Sequence, residues 1–346
     1  MTTQDDGVKG LDLAALRVWL DAEVPGELPG DLSARLITGG KSNLTYAVSN
    51  GEREVIVRRP PLGHVLATAH DMGREHRIMA ALADTAVPVP RMIASCPDDT
   101  VIGAPFYVME KMSGTAFQRA SDLERLGPER VRAITERLVD TLADLHAVDY
   151  EAVGLGDFGR PDGYLERQVR RWKKQLDASR SREIEGIDEL AARLEATVPT
   201  TGDGTIVHGD YRLDNALVDT EDGDRITAVL DWEMSTLGDP LTDLAVMLAY
   251  QNLALQSADA SANVTDAPRA EGYLSPDEVV ERYASRSGRD VSELGFHLGL
   301  AYFKLAVILE GIYFRHTQGQ TYGEGFEGIG SMTAPLVQHG LKATSE

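Results

Sequence analysis

Apolar residues recur along this chain at two different periods, and the change of period divides it into two regions. In residues 1–111 the apolar runs are mostly short and end at turn residues, as where Asn50-Gly51 follows the run 44–49. Steps of three and four also predict helices at residues 11–21 and 69–83. The short runs predict five strands, at residues 32–38, 44–49, 54–58, 91–95 and 106–110.

Residues 112–346 follow the helical period instead. Pro128 suits the start of a helix, and the apolar positions after it lie three or four residues apart. Short apolar runs at 205–207 and 226–230 read as buried strands, and the tail from Gly319 reads as irregular. The fold class predicted is α+β, with an antiparallel-sheet first lobe at 1–111 and a mostly helical second lobe at 112–346. Further helices are predicted at 164–178, 187–197, 241–255, 276–285 and 294–315.

Oxygen-bearing side chains follow the two buried strands of the second region. The first strand leads into His208-Gly209-Asp210, with Asn215 five residues after the aspartate, and the second leads into Asp231-Trp232-Glu233. The kinase catalytic loop has the form H-R-D-x-x-x-x-N, with a metal-binding aspartate on a later strand. The chain matches that loop at every defined position but one, where Gly209 replaces arginine.

With these motifs the chain resembles the aminoglycoside phosphotransferase and choline kinase family, small-molecule kinases of protein-kinase-like fold. It is most similar to the branch that includes the kinase-like domains fused to some acyl-CoA dehydrogenases. The resemblance covers roughly residues 30–316, judged from the order of the motifs. It implies a two-lobed kinase-like fold and transfer of a γ-phosphoryl group to a small-molecule hydroxyl.

The resemblance also implies roles for three residues. Asp210 is the predicted catalytic base, which accepts or orients the proton of the acceptor hydroxyl. Asn215 and Asp231 are the predicted Mg²⁺ ligands, since Mg²⁺ takes a few protein oxygens together with phosphate and water. His208 is expected to fix the loop, and a histidine general base is the alternative.

In the first lobe, Arg58 fills the place of the lysine in V-A-I-K, where it would clamp nucleotide phosphates. Arginine and lysine are not equivalent there, because the guanidinium is planar and forked. Glu75 is the expected partner of Arg58 on the helix, and a surface ion pair is the alternative. Ser42 and Asn43, in a Gly-Gly-x-Ser-Asn loop, are expected to hold phosphate oxygens, although Gly-Gly before a strand is often only a turn.

The segment at 106–112 resembles the hinge that binds adenine. Met109 is expected to line the base pocket, unless it is simple core filler. The backbones of Glu110 and Met112 are expected to bond the base. ATP is the expected donor with Mg²⁺, and GTP is not excluded.

Charge and cysteine content limit the kinds of partner and of cellular compartment to be expected. The net charge is 34 − 55 = −21, which argues against a nucleic-acid partner. Cys96 is the single cysteine, so a reducing compartment fits. The start of the sequence has no signal-type apolar run, and the most apolar stretch, 294–314, carries Lys304 and Glu310. We expect a cytoplasmic protein without a membrane partner.

The acceptor is expected to be small. Nine residues separate Asp231 from the predicted helix at Leu241, which leaves no room for a peptide-binding activation segment. Residues 164–182 hold seven Lys or Arg against two acidic residues, with four of the basic residues on one helical face. That face suits a substrate carboxylate or phosphate, such as a hydroxy acid or its thioester. The alternative is a solvated face paired with the acidic surface. The four basic residues are Arg167, Arg170, Arg171 and Lys174.

Other functions stay open at this point. An aminoglycoside or amino-alcohol kinase has the same motifs, and a catalytically silent pseudokinase has the same fold. A metal-dependent hydrolase using His208, Asp210 and Asp231 lacks a further clustered ligand. The oligomeric state does not follow from the sequence.

Overall fold

The chain forms two compact units. A computed structural model describes residues 8–37, 43–62, 70–200, 202, 204–256, 265–319 and 328–345. The first unit is residues 1–114 with 227–235, and the second is residues 115–226 with 236–346. The first unit thus extends three residues past the predicted boundary at 111. It also includes the segment that carries Asp231, which was expected in the second lobe.

The first unit is built on one antiparallel sheet of five strands in the order β1-β2-β3-β5-β4. The hairpin between β2 and β3 turns at Gly51, whose φ of +92° glycine adopts without strain. The predicted strand at 44–49 and that at 106–110 match the observed strands at both ends. The elements of this unit are α1 (Leu13–Glu23), β1 (Ser33–Leu36), β2 (Leu44–Ser49), β3 (Glu54–Arg59), α2 (Met72–Leu82), β4 (Met92–Cys96) and β5 (Phe106–Glu110).

One face of the sheet is covered by α1. Asp12 caps this helix by accepting a hydrogen bond from the backbone N–H of Ala15 at 2.9 Å. Leu16 and Leu20 are buried in a core that also contains Val48 and Cys96. Cys96 is buried as well as unpaired, so its thiol contributes as a small core residue.

The second unit is mostly helical. Its first helices are α3 (Ala120–Glu124), α4 (Pro128–His146), α5 (Tyr164–Ser179) and α6 (Ile187–Ala196). The strands β6 (Thr205–Val207), β7 (Ala216–Asp219), β8 (Arg225–Val229) and β9 (Thr236–Gly238) follow, and β8 runs from the second unit into the first. β6 pairs antiparallel with β9. The last helices are α7 (Leu241–Gln256), α8 (Pro276–Ser287), α9 (Leu294–Thr317) and α10 (Thr333–Ala343).

Helix α4 begins at Pro128, as predicted, and buries the predicted apolar face. Proline suits the first helical position because its missing N–H would have no partner there. The buried residues that were predicted from the helical period are Val131, Ile134, Leu138, Leu142 and Leu145.

Helix α9 is the most apolar helix. It is 24 residues long, and its length and composition would allow it to cross a membrane. Of its most apolar window, 67% is buried inside the protein, as is usual for a core helix.

The prediction of an irregular tail is wrong at its end, where α10 packs on α9. Pro335 and Gly340 lower the helix propensity of this segment, which hid it from the sequence pattern. Leu336 and Val337 are fully buried, and that packing outweighs propensity. Residues 320–327 of the tail lie outside the described residues.

A glycine turn before α8 gives a first testable prediction. Gly272 has φ +91°, and a Cβ there would lie 2.1 Å from the carbonyl oxygen of Pro128. We expect Gly272→Ala to lower the free energy of unfolding by about 1–3 kcal/mol, measured by denaturant titration. Gly288→Ala is the control, because Gly288 has φ +68° and open space around it. Equal losses in both variants would show that the clash with Pro128 does not matter.

Candidate active site

The loop after β6 carries the predicted base. It runs through His208 and Gly209 to Asp210, whose side chain is 23% exposed. Gly209 has φ +87°, a left-handed conformation that favours glycine, so glycine suits the place where the kinase motif has arginine. A 3-10 turn at 213–215 then brings Asn215 back to Asp210. Nδ2 of Asn215 donates to the Asp210 carboxylate at 3.1 Å and to its backbone carbonyl at 2.8 Å.

Asp243, in the first turn of α7, holds the backbone of this loop in place. Its buried carboxylate accepts the backbone N–H of His208 at 2.6 Å and that of Gly209 at 2.7 Å. Nε2 of His146 lies 3.3 Å from the same carboxylate. Burial by itself would raise the pKa of Asp243, but the bonds from His146 and His208 outweigh it and leave the pKa below its usual value.

His208 is fully buried. Its Nδ1 accepts the backbone N–H of Asp210 at 3.2 Å, and its ring packs edge-on against Tyr211. A buried imidazole cannot reach a substrate hydroxyl. The geometry therefore argues against His208 as the general base and supports the bracing role.

Arg212, two residues after Asp210, is a contact that sequence reasoning missed. Its Nη1 donates to Asp214 at 2.9 Å, its Nε lies 3.5 Å from Asp210, and its guanidinium carbon lies 4.5 Å from the Tyr250 ring centroid. Burial raises the pKa of Asp214, and Arg212 opposes the rise. Asp214 is thus paired with Arg212, which gives it a structural role in the loop. The signal in the sequence was a basic residue inside the motif.

The first unit gathers a second group of predicted residues around Asp231. Nη2 of Arg58, on β3, donates to Asp231 at 2.6 Å, and Nε of Arg58 lies 3.2 Å from the Glu75 carboxylate on α2. The side chain of Arg58 is 13% exposed and that of Glu75 is 1% exposed. The Arg58–Glu75 pair is therefore buried, and the alternative of a surface ion pair is excluded.

The backbone of Asp231 is unusual. Its φ is +67° and its ψ is 58°, in the left-handed region. Among the described residues, only Asp224 is another non-glycine residue with positive φ. Non-glycine residues in this region are strained by about 1–3 kcal/mol and cluster at functional sites. This conformation supports a functional reason for aspartate at 231.

Asn43 joins the same group. Its Nδ2 donates to Glu75 at 3.0 Å and to Glu233 at 3.3 Å, and its Oδ1 lies 2.8 Å from Nδ1 of His70. Asn43 is 5% exposed. Its side chain thus bridges two carboxylates, whereas the sequence predicted contact with phosphate oxygens. Ser42, with the glycines of the predicted phosphate loop, lies outside the described residues.

Glu75 is the most perturbed carboxyl group of this cluster. Burial raises its pKa to about 7, although Arg58 and the Tyr107 hydroxyl, which donates at 3.0 Å, both oppose the rise. Burial would lower the pKa of Arg58, but Tyr107, Glu75 and Asp231 outweigh it and raise the pKa. Arg58 is therefore a permanent cation within this group.

The predicted hinge lies at the end of β5. Met109 is 7% exposed, and it is paired with Ile56 of β3 in the register of the sheet. The backbone N–H of Glu110 donates to the carbonyl of Arg91 at 2.9 Å, so this N–H already has a partner. Met112 lies just beyond β5. The roles of these residues in binding adenine stay predictions.

The basic face of α5 is only partly neutralised. Arg170, Arg171 and Lys174 are exposed, and among the described residues no carboxylate lies within ion-pair distance of them. The guanidinium carbon of Arg171 lies 5.4 Å from the centroid of the Trp172 ring. Arg167 donates to the carbonyls of residues 160 and 162. Three of these residues are solvated, as the alternative expected, but the pairing with acidic side chains that it also expected is not found for them among the described residues.

Comparison with known proteins assigns the family. The model of the APH phosphotransferase enzyme family matches residues 33–277. The chain belongs to this family. The matched range contains both of the groups described above, around Asp210 and around Asp231.

Individual relatives of this phosphotransferase family member extend the match over nearly the whole chain. A solved structure from Ralstonia eutropha JMP134, assigned as an aminoglycoside phosphotransferase, is 33% identical, with a TM-score of 0.83 over 97% of this chain and 98% of that one. Acyl-CoA dehydrogenase family member 11 of Gallus gallus is 34% identical over 92% of this chain but only 41% of its own length. The chain thus spans about two fifths of that relative. The resemblance to the branch fused to acyl-CoA dehydrogenases is confirmed.

More distant structures share the fold alone. Choline kinase from Cryptosporidium parvum is 13% identical, with a TM-score of 0.66 over 96% of both chains. The kinase-like α+β fold predicted for this phosphotransferase family member is confirmed. Two aminoglycoside phosphotransferases with TM-scores of 0.60 hold AMP-PNP with hygromycin B and GDP with kanamycin.

Proposed function

We propose that the chain transfers the γ-phosphoryl group of a nucleotide to a hydroxyl of a small molecule. The observation that carries the proposal is the contact of Asn215 with the carboxylate of Asp210, after a buried strand, in a member of a phosphotransferase family. Asp210 is partly exposed and can accept the hydroxyl proton as the phosphoryl group arrives.

Mg²⁺ is the proposed cofactor, with Asn215 and Asp231 as ligands. Asn215 turns its NH₂ group towards Asp210, and among the described residues no donor reaches its amide oxygen. Such an oxygen suits Mg²⁺, which takes few protein ligands and completes its shell with phosphate and water. Within the described residues no three His, Cys, Asp or Glu side chains are grouped to hold a metal, which gives the hydrolase alternative no support.

ATP is the proposed donor and GTP is the alternative. The two relatives with AMP-PNP and with GDP support a nucleotide of either base. Arg58 offers a cation for the phosphates, on the strand next to Met109 and Glu110.

The proposed acceptor is an anionic hydroxylated molecule, such as a hydroxy acid or its thioester. The support is Arg170, Arg171 and Lys174 of α5, which are exposed and have no carboxylate partner among the described residues, although the chain carries a net charge of −21. An aminoglycoside is a cation and would be repelled by such a face. An aminoglycoside or amino-alcohol acceptor is the alternative, and the assignment of the Ralstonia relative supports the aminoglycoside.

A panel of acceptors tests these proposals together. The chain is incubated with MgATP or MgGTP and with hydroxy acids, their coenzyme A thioesters, amino alcohols, sugars and aminoglycosides, and products are detected by mass spectrometry. We expect a gain of one phosphoryl group on a hydroxy acid or thioester. Transfer to aminoglycosides alone would overturn the acceptor class and leave the kinase assignment intact. Nucleotide binding without any transfer would favour a pseudokinase.

Asp231 gives a prediction on the metal. We expect Asp231→Ala to weaken the response of nucleotide affinity to Mg²⁺, because a carboxylate ligand is lost. Calorimetric titration of ATP at several Mg²⁺ concentrations measures this response. Asp98→Ala is the control, since Asp98 is exposed and its carboxylate bonds only to Thr100 among the described residues. An unchanged Mg²⁺ dependence in Asp231→Ala would count against Asp231 as a metal ligand.

The pseudokinase alternative has one specific observation in its favour. Arg58 replaces the usual lysine and is bonded to Asp231, so a predicted metal ligand is already paired with a cation. Nucleotide phosphates would have to draw Arg58 away from this contact. A cytoplasmic location and the absence of nucleic-acid and membrane partners stay predictions.

A further inference from the structure

Lys304 lies on the core helix α9 and is one of the two charged residues that the sequence analysis noted in this apolar stretch. Its Nζ donates to the backbone carbonyl of Gly209 at 2.8 Å and lies 5.7 Å from the centroid of the Trp172 ring. An ammonium group inside a protein is costly unless it is partnered. The partner here is the residue immediately before the predicted base.

Lys304 and His208 together hold the peptide unit between Gly209 and Asp210 by both of its polar groups. The carbonyl of the Gly209–Asp210 peptide accepts from Lys304, and the N–H of the same peptide donates to Nδ1 of His208 at 3.2 Å. Gly209 has no Cβ to limit rotation of this peptide plane. The two bonds therefore fix the orientation of a peptide plane that would otherwise be free to rotate. That orientation sets the direction in which the Asp210 side chain leaves the backbone.

The groups around Lys304 suit a positively charged side chain at this position. Burial lowers its pKa, while Asp210 and Asp243 nearby act to raise it. A lysine has three donors, and among the described residues only the Gly209 carbonyl accepts one of them. The ammonium borders a cavity of about 30 Å³, lined also by Tyr164 and Trp172. That volume suits a single water molecule.

We propose that Lys304 is a positioning residue for phosphoryl transfer, acting on Asp210 through the carbonyl of Gly209. The proposal rests on the proposed function, because positioning matters only if Asp210 meets a hydroxyl. Lys304 needs no contact with substrate in this role. A misplacement of about 1 Å at a reacting group is enough to slow catalysis by about 10²-fold.

Lys304→Met tests the proposal, because methionine keeps the length and apolar stem but removes the donor. We expect kcat for the best acceptor of the panel to fall by about 10²-fold, with the KM for nucleotide close to that of the unaltered chain. Lys173→Met is the matched control, since Lys173 pairs with Glu195 on the surface of α5. A kcat equal to that of the control would overturn the proposal.

A second measurement does not depend on transfer at all. Hydrogen exchange of the peptide that spans residues 206–212 should be faster in Lys304→Met than in Lys173→Met, because the Gly209–Asp210 plane is released. Unchanged exchange would overturn the positioning role, even if the chain proved to be a kinase. A chain that transfers nothing but shows faster exchange would refute the proposed function while supporting the restraint by Lys304.

If Lys304→Met fails to fold, Lys304→Ala with added amine replaces it. We expect n-propylammonium to restore part of the lost kcat by donating to the Gly209 carbonyl, and n-propanol to restore less. Thermal unfolding is followed in parallel to separate rescue of the fold from rescue of kcat. Equal recovery with the alcohol and the amine would overturn the need for a cation.

Discussion

Asp210→Asn is expected to abolish phosphoryl transfer while nucleotide binding persists. Asparagine has the same shape, so its contacts with Asn215 and with the loop can largely remain. It cannot accept the proton of the acceptor hydroxyl, and a positioned acid or base typically contributes about 10²–10⁴-fold to the rate. The measurement is kcat from product formation, together with calorimetric titration of MgATP.

Asp222→Asn is the matched control for this change. Asp222 is 75% exposed and pairs with Arg225 in a surface turn of the same region. We expect its kcat to equal that of the unaltered chain. Equal turnover in Asp210→Asn would remove Asp210 from the role of base, whereas loss of MgATP binding would mean that it holds the nucleotide complex instead.

Asp243→Asn is expected to have the largest effect on stability. The fully buried carboxylate accepts the N–H groups of His208 and Gly209, and Nε2 of the buried His146 ring lies 3.3 Å from it. An asparagine would turn an NH₂ group towards some of these donors and leave them without an acceptor. A buried donor left without an acceptor costs about 1–3 kcal/mol, and we expect a loss of unfolding free energy of about that size for each donor affected, measured in urea.

The same residue predicts a dependence on pH. The folded-state pKa of Asp243 lies below its usual value, so its ionised form stabilises the fold above the unfolded-state pKa of about 3.9. This contribution is lost as the pH falls from there through the lower folded-state pKa. Unfolding free energy should therefore decline on the acid side in the unaltered chain, and decline less in Asp243→Asn.

Asp188→Asn serves as the control for both measurements. Asp188 is 73% exposed and pairs with Arg180, so its loss should change the unfolding free energy by about 0–1 kcal/mol. Similar losses in Asp243→Asn and Asp188→Asn would show that the buried carboxylate does not brace the loop.

The fold followed from the sequence where the hydrophobic period was regular. The strand at 44–49 and the start of α4 at Pro128 matched because alternation, a hairpin dipeptide and a helix-starting proline agree locally. The helix α10 did not follow, because its proline and glycine oppose a helix and its stability comes from packing on α9. The local sequence pattern was sufficient to predict an element where helix or strand propensity agreed with burial. It failed where the two differed.

The candidate site could be predicted from the sequence only in part. Motif spacing singled out Asp210 and Asn215, which are five residues apart and in contact. The bond from Lys304 to Gly209 joins residues 95 positions apart, and the bond from Arg58 to Asp231 joins residues 173 positions apart. No local spacing encodes such contacts, because the folded backbone sets them. Asn43 shows the same limit, since its two carboxylate partners lie on a distant helix and a distant turn.

The left-handed backbone of Asp231 bears on how this fold can be improved. Glycine would occupy φ +67° with less strain than aspartate, so selection for thermal resistance alone would favour glycine at this place. A chain that keeps aspartate accepts a less robust fold in exchange for a carboxylate. Engineering for heat tolerance should therefore leave position 231 alone and look for gains at turns far from both acidic groups.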